Sequence, residues 1–124
     1  AKSVVVEISN AYYTKYQSWY EKNGFGKRPI VSDAWAQGSK LDPHLGFYPI
    51  QIKALQALWL AVHEAYNIPL EAPESGDSDF MTTTKYDYKF SKGNYKGYIS
   101  HYHQSKRKID CAGLDIVKLL KELK

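Results

Sequence analysis

The sequence predicts an α/β fold with a small central mixed β-sheet flanked by helices, and three observations predict it. A β-branched run, Val4-Val5-Val6-Glu7-Ile8, stands near the start and has the pattern of a strand covered on both faces. An apolar stripe at helical spacing, Ile52, Leu55, Trp59, Val62 and Tyr66, occupies the middle. A second short strand over Lys96–His101 precedes a terminal amphipathic helix carrying Ile116, Leu119, Leu120 and Leu123. The order strand, helix, long loop, helix, irregular segment, strand, helix belongs to the α/β class.

Taken in order, the first strand alternates its side chains, so Glu7 shares a face with Val5 and Ser9. Asn10 is placed to cap a helix running from Ala11 to Asn23, with Gly24 as its C-terminal stop. Tyr13, Tyr16 and Tyr20, with Tyr12 and Trp19 beside them, give that helix an aromatic face suited to packing. Residues 25–48 are rich in Gly, Pro, Ser and Asp and read as a long loop that helps to form a binding site. Pro49 suits the first turn of the next helix, and Asn67 and Pro69 end it. His63 lies off its stripe and reads as a surface histidine, and His44 falls in the preceding loop. Residues 69–94, from "ESGDSD" to "SKGN", read as polar and irregular, and no internal repeat is present.

The 124 residues fit a single domain, 1–124, with a modest core. Apolar residues at 44% and charged residues at 24% are ordinary for a globular protein. The net charge of +4 gives a mild preference for anionic partners, and "SKRK" is too short a basic cluster for a nucleic-acid partner. No run approaches the roughly 18 apolar residues of a membrane span, so no membrane partner is expected. A single cysteine excludes an internal disulfide. Eleven tyrosines supply flat amphipathic surface, suited to sugars and to wet cores alike. A strand so close to Ala1 reads as the later portion of a longer domain, the alternative being methionine removal ahead of an edge strand.

The chemistry concentrates in "SHYHQSKRKIDC", Ser100 to Cys111. His101 and Asp110 are separated by a loop long enough to fold back, and imidazole and carboxylate are both normal zinc ligands. Lys108, two residues before Asp110, carries an ammonium suited to stabilising an oxyanion, and Glu7 is a candidate general base. Two other ligand choices stay open: His103 with Cys111, and His101 with His103 on one strand face. A basic loop that merely contains histidine is the commoner reading of the spacing alone, and Cys111 suits a buried thiol better than a ligand.

Three segments in order, "VVVEIS", "QIKALQALWLAVHEAYNIP" and "SHYHQSKRKIDCAGLDI", resemble the zinc-dependent N-acetylmuramoyl-L-alanine amidases, a family that includes phage endolysins and is related to peptidoglycan recognition proteins. The most specific portion is "RKIDCAGLDI", which is similar to the family's "RKTDPG..FDW". The resemblance implies that His101 and Asp110 are zinc ligands, that Lys108 and Glu7 are catalytic, and that peptidoglycan is the substrate. It selects Asp110 over Cys111 because lysine stands two places before the third ligand; His103 with Cys111 is the reserve pair. The family's first metal histidine lies on a strand ahead of "SIGIE", and this chain has no histidine there, so a preceding segment or a second polypeptide is expected to supply it. Cys111 replaces the family's proline, and Ser100 stands where glycine is usual. The rival reading is a non-catalytic wall-binding or virion structural module on the same fold, using aromatic loops around Trp35, Phe47 and Tyr48.

Overall fold

The computed structural model describes residues 3–76 and 79–124. Lys2 ahead of the valine run, and Asp77 and Ser78 within "ESGDSD", lie outside the described residues. The valine run is not a strand: residues 3–10 carry no regular structure, and Val4, Val5 and Val6 are exposed at 50%, 84% and 41%. A β-branched run becomes a strand only where another backbone pairs with it, and here it borders an open cleft instead. Only its end is anchored: the Ser9 carbonyl accepts from Arg28 Nη2 at 3.2 Å and from Gln51 Nε2 at 2.8 Å.

The helix expected from Ala11 starts later, as a 3₁₀ turn at Thr14–Tyr16 followed by α1 at Gln17–Lys22. Asn10 does not cap it, because its Nδ2 donates to the Leu45 carbonyl at 2.8 Å, while the Ala11 N–H goes to Tyr20 Oη at 3.0 Å. Gly24, at φ +83°, follows the C-cap Asn23 and ends α1 as the sequence predicts. The aromatic face is only partly packed. Tyr20 and Tyr48 hold the buried Arg28 guanidinium between their rings, each centroid 4.4 Å away, while Tyr13, Tyr16 and Trp19 stay exposed.

The presumed loop 25–48 contains the only regular strands among the described residues: β1 (Ile30–Val31), β2 (Trp35–Ala36), β3 (Ser39–Lys40) and β4 (His44–Leu45). They pair as two separate two-stranded antiparallel sheets, β1 with β4 and β2 with β3. The protein is therefore a mixture of helices and small sheets, but the expected central mixed sheet is absent from the described residues. The β2–β3 hairpin turns at Gln37-Gly38 with φ of 56° and 82°, the two positive values that a type I′ turn requires.

The helix α2 spans Pro49–Tyr66, with Pro49 in its first turn and Asn67 at φ 56° closing it, as the sequence predicts. Gln51 Oε1 accepts the Tyr48 N–H at 3.0 Å and satisfies a free donor of the first turn. Leu55 and Trp59 are buried, whereas Tyr66 is exposed, because that end of the stripe borders the cleft. His63 is half-buried rather than free, its Nδ1 bonded to the Ile68 carbonyl at 2.7 Å.

A short helix, α3 (Tyr88–Ser91), interrupts the segment read as irregular, capped by Asp87, which accepts the Lys89 N–H at 3.0 Å. The strand expected at Lys96–His101 does not form. The chain stays irregular to Ser100, and His101 opens α4 (His101–Gln104). Its one ladder-like bond runs from the Tyr98 N–H to the Glu71 carbonyl at 2.8 Å. The terminal helix is present as α5 (Ile116–Lys121), and Ile116, Val117 and Leu120 join Leu55 and Trp59 of α2 in the core. Asp115 ties this core to the preceding segment. Its carboxylate accepts from the Met81 N–H at 2.8 Å, the Thr82 N–H at 3.1 Å and the Thr82 hydroxyl at 2.7 Å. Among the described residues no helix is long and apolar enough to cross a membrane.

Candidate active-site cleft around His101 and Asp110

The chain folds back between His101 and Asp110 because Ser100 and Gln37 hold both ends of the loop. Ser100 Oγ donates to the Asp110 carbonyl at 2.7 Å and accepts the Cys111 N–H, and the Tyr102 N–H donates to the same Asp110 carbonyl at 3.1 Å. Gln37 Nε2 donates to the carbonyls of Tyr102 and Ser105 at 2.9 and 3.1 Å, with Lys108 further off at 3.3 Å. The Asp110–Cys111 peptide is cis. The result is that His101 Nδ1 lies 3.2 Å from Asp110 Oδ2, both side chains about half exposed.

This pair borders a cleft of about 1010 Å³. Glu7 stands on the same wall system, and Leu55, Leu58, Trp59 and Tyr98 supply apolar surface. Glu7 is exposed and has no hydrogen bond to His101 or Asp110. Lys108 is exposed and does not line the cleft; its own N–H is bonded to the Ser105 carbonyl at 3.3 Å. Of the four residues singled out in the sequence, the structure brings His101 and Asp110 into contact, puts Glu7 on the cleft and leaves Lys108 off it.

The pair tests poorly as a complete zinc site. Imidazole and carboxylate are the right donors, but a catalytic zinc takes three protein ligands. Among the described residues no group of three or more His, Cys, Asp or Glu side chains is placed to hold a metal. The reserve pair fares worse. His103 is fully buried, its Nδ1 accepting the Ser100 N–H at 3.0 Å and its Nε2 bonded to the Thr83 carbonyl at 2.6 Å. A carbonyl can only accept, so Nε2 carries the proton, and both ring nitrogens are occupied. Burial holds the His103 pKa below the usual value, against the opposing Thr83 bond. Burial likewise pushes the Cys111 thiol up, with the Ser100 bond opposing, so its ligating thiolate form is disfavoured.

Sequence reasoning missed Gln37 and the placement of His44. The "AQGS" hairpin signal was available for the first, but its side-chain partners lie 49 or more positions away. His44 sits on β4, 3% exposed, with its ring stacked on Tyr12 at 4.5 Å and 10°. No family model, curated protein or solved structure matches the chain.

Proposed function

We propose that this chain supplies part of a zinc-dependent N-acetylmuramoyl-L-alanine amidase site and acts on peptidoglycan. The observation that supports the reading most is the 3.2 Å approach of His101 and Asp110 at the edge of a cleft of about 1010 Å³, at the top of the size range of small-molecule sites. In this reading His101 and Asp110 are two zinc donors, and a histidine from a further segment or a second polypeptide is the third. Zinc in such a site polarises the scissile carbonyl and acidifies its bound water. Glu7 is the cleft carboxylate available to take a proton. Lys108 reaches the reacting carbonyl only if its long, exposed side chain swings inward.

A second reading, a non-catalytic peptidoglycan-binding or virion structural module, is favoured by two observations. The described residues offer no third metal donor, and Lys108 stands off the cleft. One experiment separates the readings: the natural protein, with whatever further segment or partner polypeptide accompanies this chain, is incubated with insoluble peptidoglycan and zinc, with and without chelator, and bound protein and newly freed L-alanine amino groups are measured. The amidase reading expects amine release that chelator and Asp110→Ala both abolish. Binding that survives chelator without amine release selects the structural module, and absence of binding removes both.

A further inference from the structure

His44 has a feature that neither its packing nor the His101–Asp110 pair explains. Its ring is 3% exposed and lies flat on Tyr12, with the ring centroids 4.5 Å apart. Its Nδ1 is 3.0 Å from the Asp42 carbonyl. That oxygen can only accept, so Nδ1 carries a proton, and in that tautomer the lone pair is at Nε2. Among the described residues no hydrogen bond reaches Nε2. Nε2 is not one of the fully enclosed polar atoms that lack a partner, so on the cleft wall that His44 lines it is open to a partner that arrives from outside.

A glycine stands beside this nitrogen. Gly113 adopts φ +87°, and a Cβ there would lie 3.7 Å from His44 Nε2 and only 2.9 Å from Val31 Cγ1. A side chain would be strained by the backbone and would press on Val31, while meeting His44 Nε2 only at ordinary contact distance. His44 and Gly113 both line the cleft that Asp110 borders.

We propose that His44 Nε2 is a hydrogen-bond acceptor for the peptide portion of a ligand in the cleft. The chemistry selects the class: with Nδ1 as the donor, the lone pair at Nε2 takes an N–H or O–H donor and gives nothing to a free carboxylate, which has no proton to offer. The neighbouring wall of Val31 and Leu45 is apolar, which suits a peptide amide, whose N–H needs one well-placed acceptor and whose flanking carbons do not need water. The inference rests on the peptidoglycan reading of the cleft and assigns its peptide-binding residue.

The test uses protein labelled with ¹⁵N at histidine, titrated with N-acetylmuramoyl-L-alanyl-D-isoglutamine. The expected result is a shift of the His44 Nε2 resonance with the protonated Nδ1 unchanged. In addition, His44→Asn, whose amide N–H can keep the bond to the Asp42 carbonyl, should bind roughly tenfold more weakly. Ligand-induced shifts at His101 with a static His44 Nε2 would overturn the inference and leave the cleft reading standing. Silence at every histidine would overturn both. The wild-type resonance decides the matter even if the variant does not fold.

Discussion

The two sides of the Ser100–Gly113 turn are held by different forces. On the side facing Thr82 and Asp115, short polar side chains reach across the chain to backbone groups. Asp115 binds the Met81 and Thr82 amides, Thr82 Oγ accepts the Val117 N–H at 2.9 Å, and Gln37 Oε1 accepts the Tyr86 N–H at 2.8 Å. On the side facing Ser3–Ile8, apolar side chains border open space, and His44 keeps an unpaired nitrogen. A closed side with satisfied polar groups positions the Asp110 carbonyl and so the carboxylate; an open side leaves room for a ligand. Rigidity behind the pair and vacancy before it is the arrangement a binding site needs.

The sharpest way to break this contrast is to remove the main clamp of the closed side. Asp115→Ala deletes an acceptor of three hydrogen bonds from Met81 and Thr82, together with the cap of α5. The expected loss is about 3 kcal/mol, from bonds to a charged acceptor and the amides left unsatisfied. Urea unfolding measures it, and a loss under about 1 kcal/mol would show that the apolar core of α2 and α5 holds this side unaided.

A smaller effect follows from His103, buried and neutral in the same region. Its folded pKa lies below the usual value because burial disfavours the imidazolium. Below about pH 6.5 the unfolded chain takes up a proton that the folded chain refuses. The contribution is therefore present above that pH and is lost as pH falls through it. Wild type should lose stability relative to His103→Gln as pH falls below the unfolded value, by at most about 1.4 kcal/mol per pH unit. Parallel stability profiles for the two proteins between about pH 7 and pH 5 would mean that His103 is not held neutral.

What the sequence made legible was whatever depends on neighbours along the chain. Helix α2, its proline start and its Asn67 stop, the Gly24 terminator and the face of α5 are all local signals, and all are present. The two strands failed because Val4–Ile8 and Lys96–His101 have strand composition, but pairing is a long-range property that composition does not specify. The His101–Asp110 approach was visible in the spacing, because a loop of that length closes on itself. The structure, not the spacing, showed that His103 is consumed by Ser100 and Thr83. Gln37 and Asp115 were silent for the same reason as the strands: each serves backbone groups more than thirty positions away.

The finest probe of the closed side is Gln37→Gly, because it separates two opposing terms. Gln37 pays for its role with a left-handed backbone at φ 56°, and glycine there relieves on the order of 1 kcal/mol of strain. The same change removes the Nε2 bonds to the Tyr102 and Ser105 carbonyls and the acceptor of the Tyr86 N–H. Those bonds are partly exposed, and their net worth is of the same order, so global stability should shift by less than about 1 kcal/mol. The local effect should not cancel. The Tyr86 amide, deprived of its only side-chain acceptor, should exchange its hydrogen at least roughly tenfold faster, since local opening governs that rate and the turn strain does not. Unchanged exchange at Tyr86 would mean that Gln37 does not hold this side, leaving the loop carrying His101 and Asp110 to Ser100 and the Tyr102 N–H. In that case substitutions at Ser100, rather than in the β2–β3 hairpin, would control the geometry of the pair.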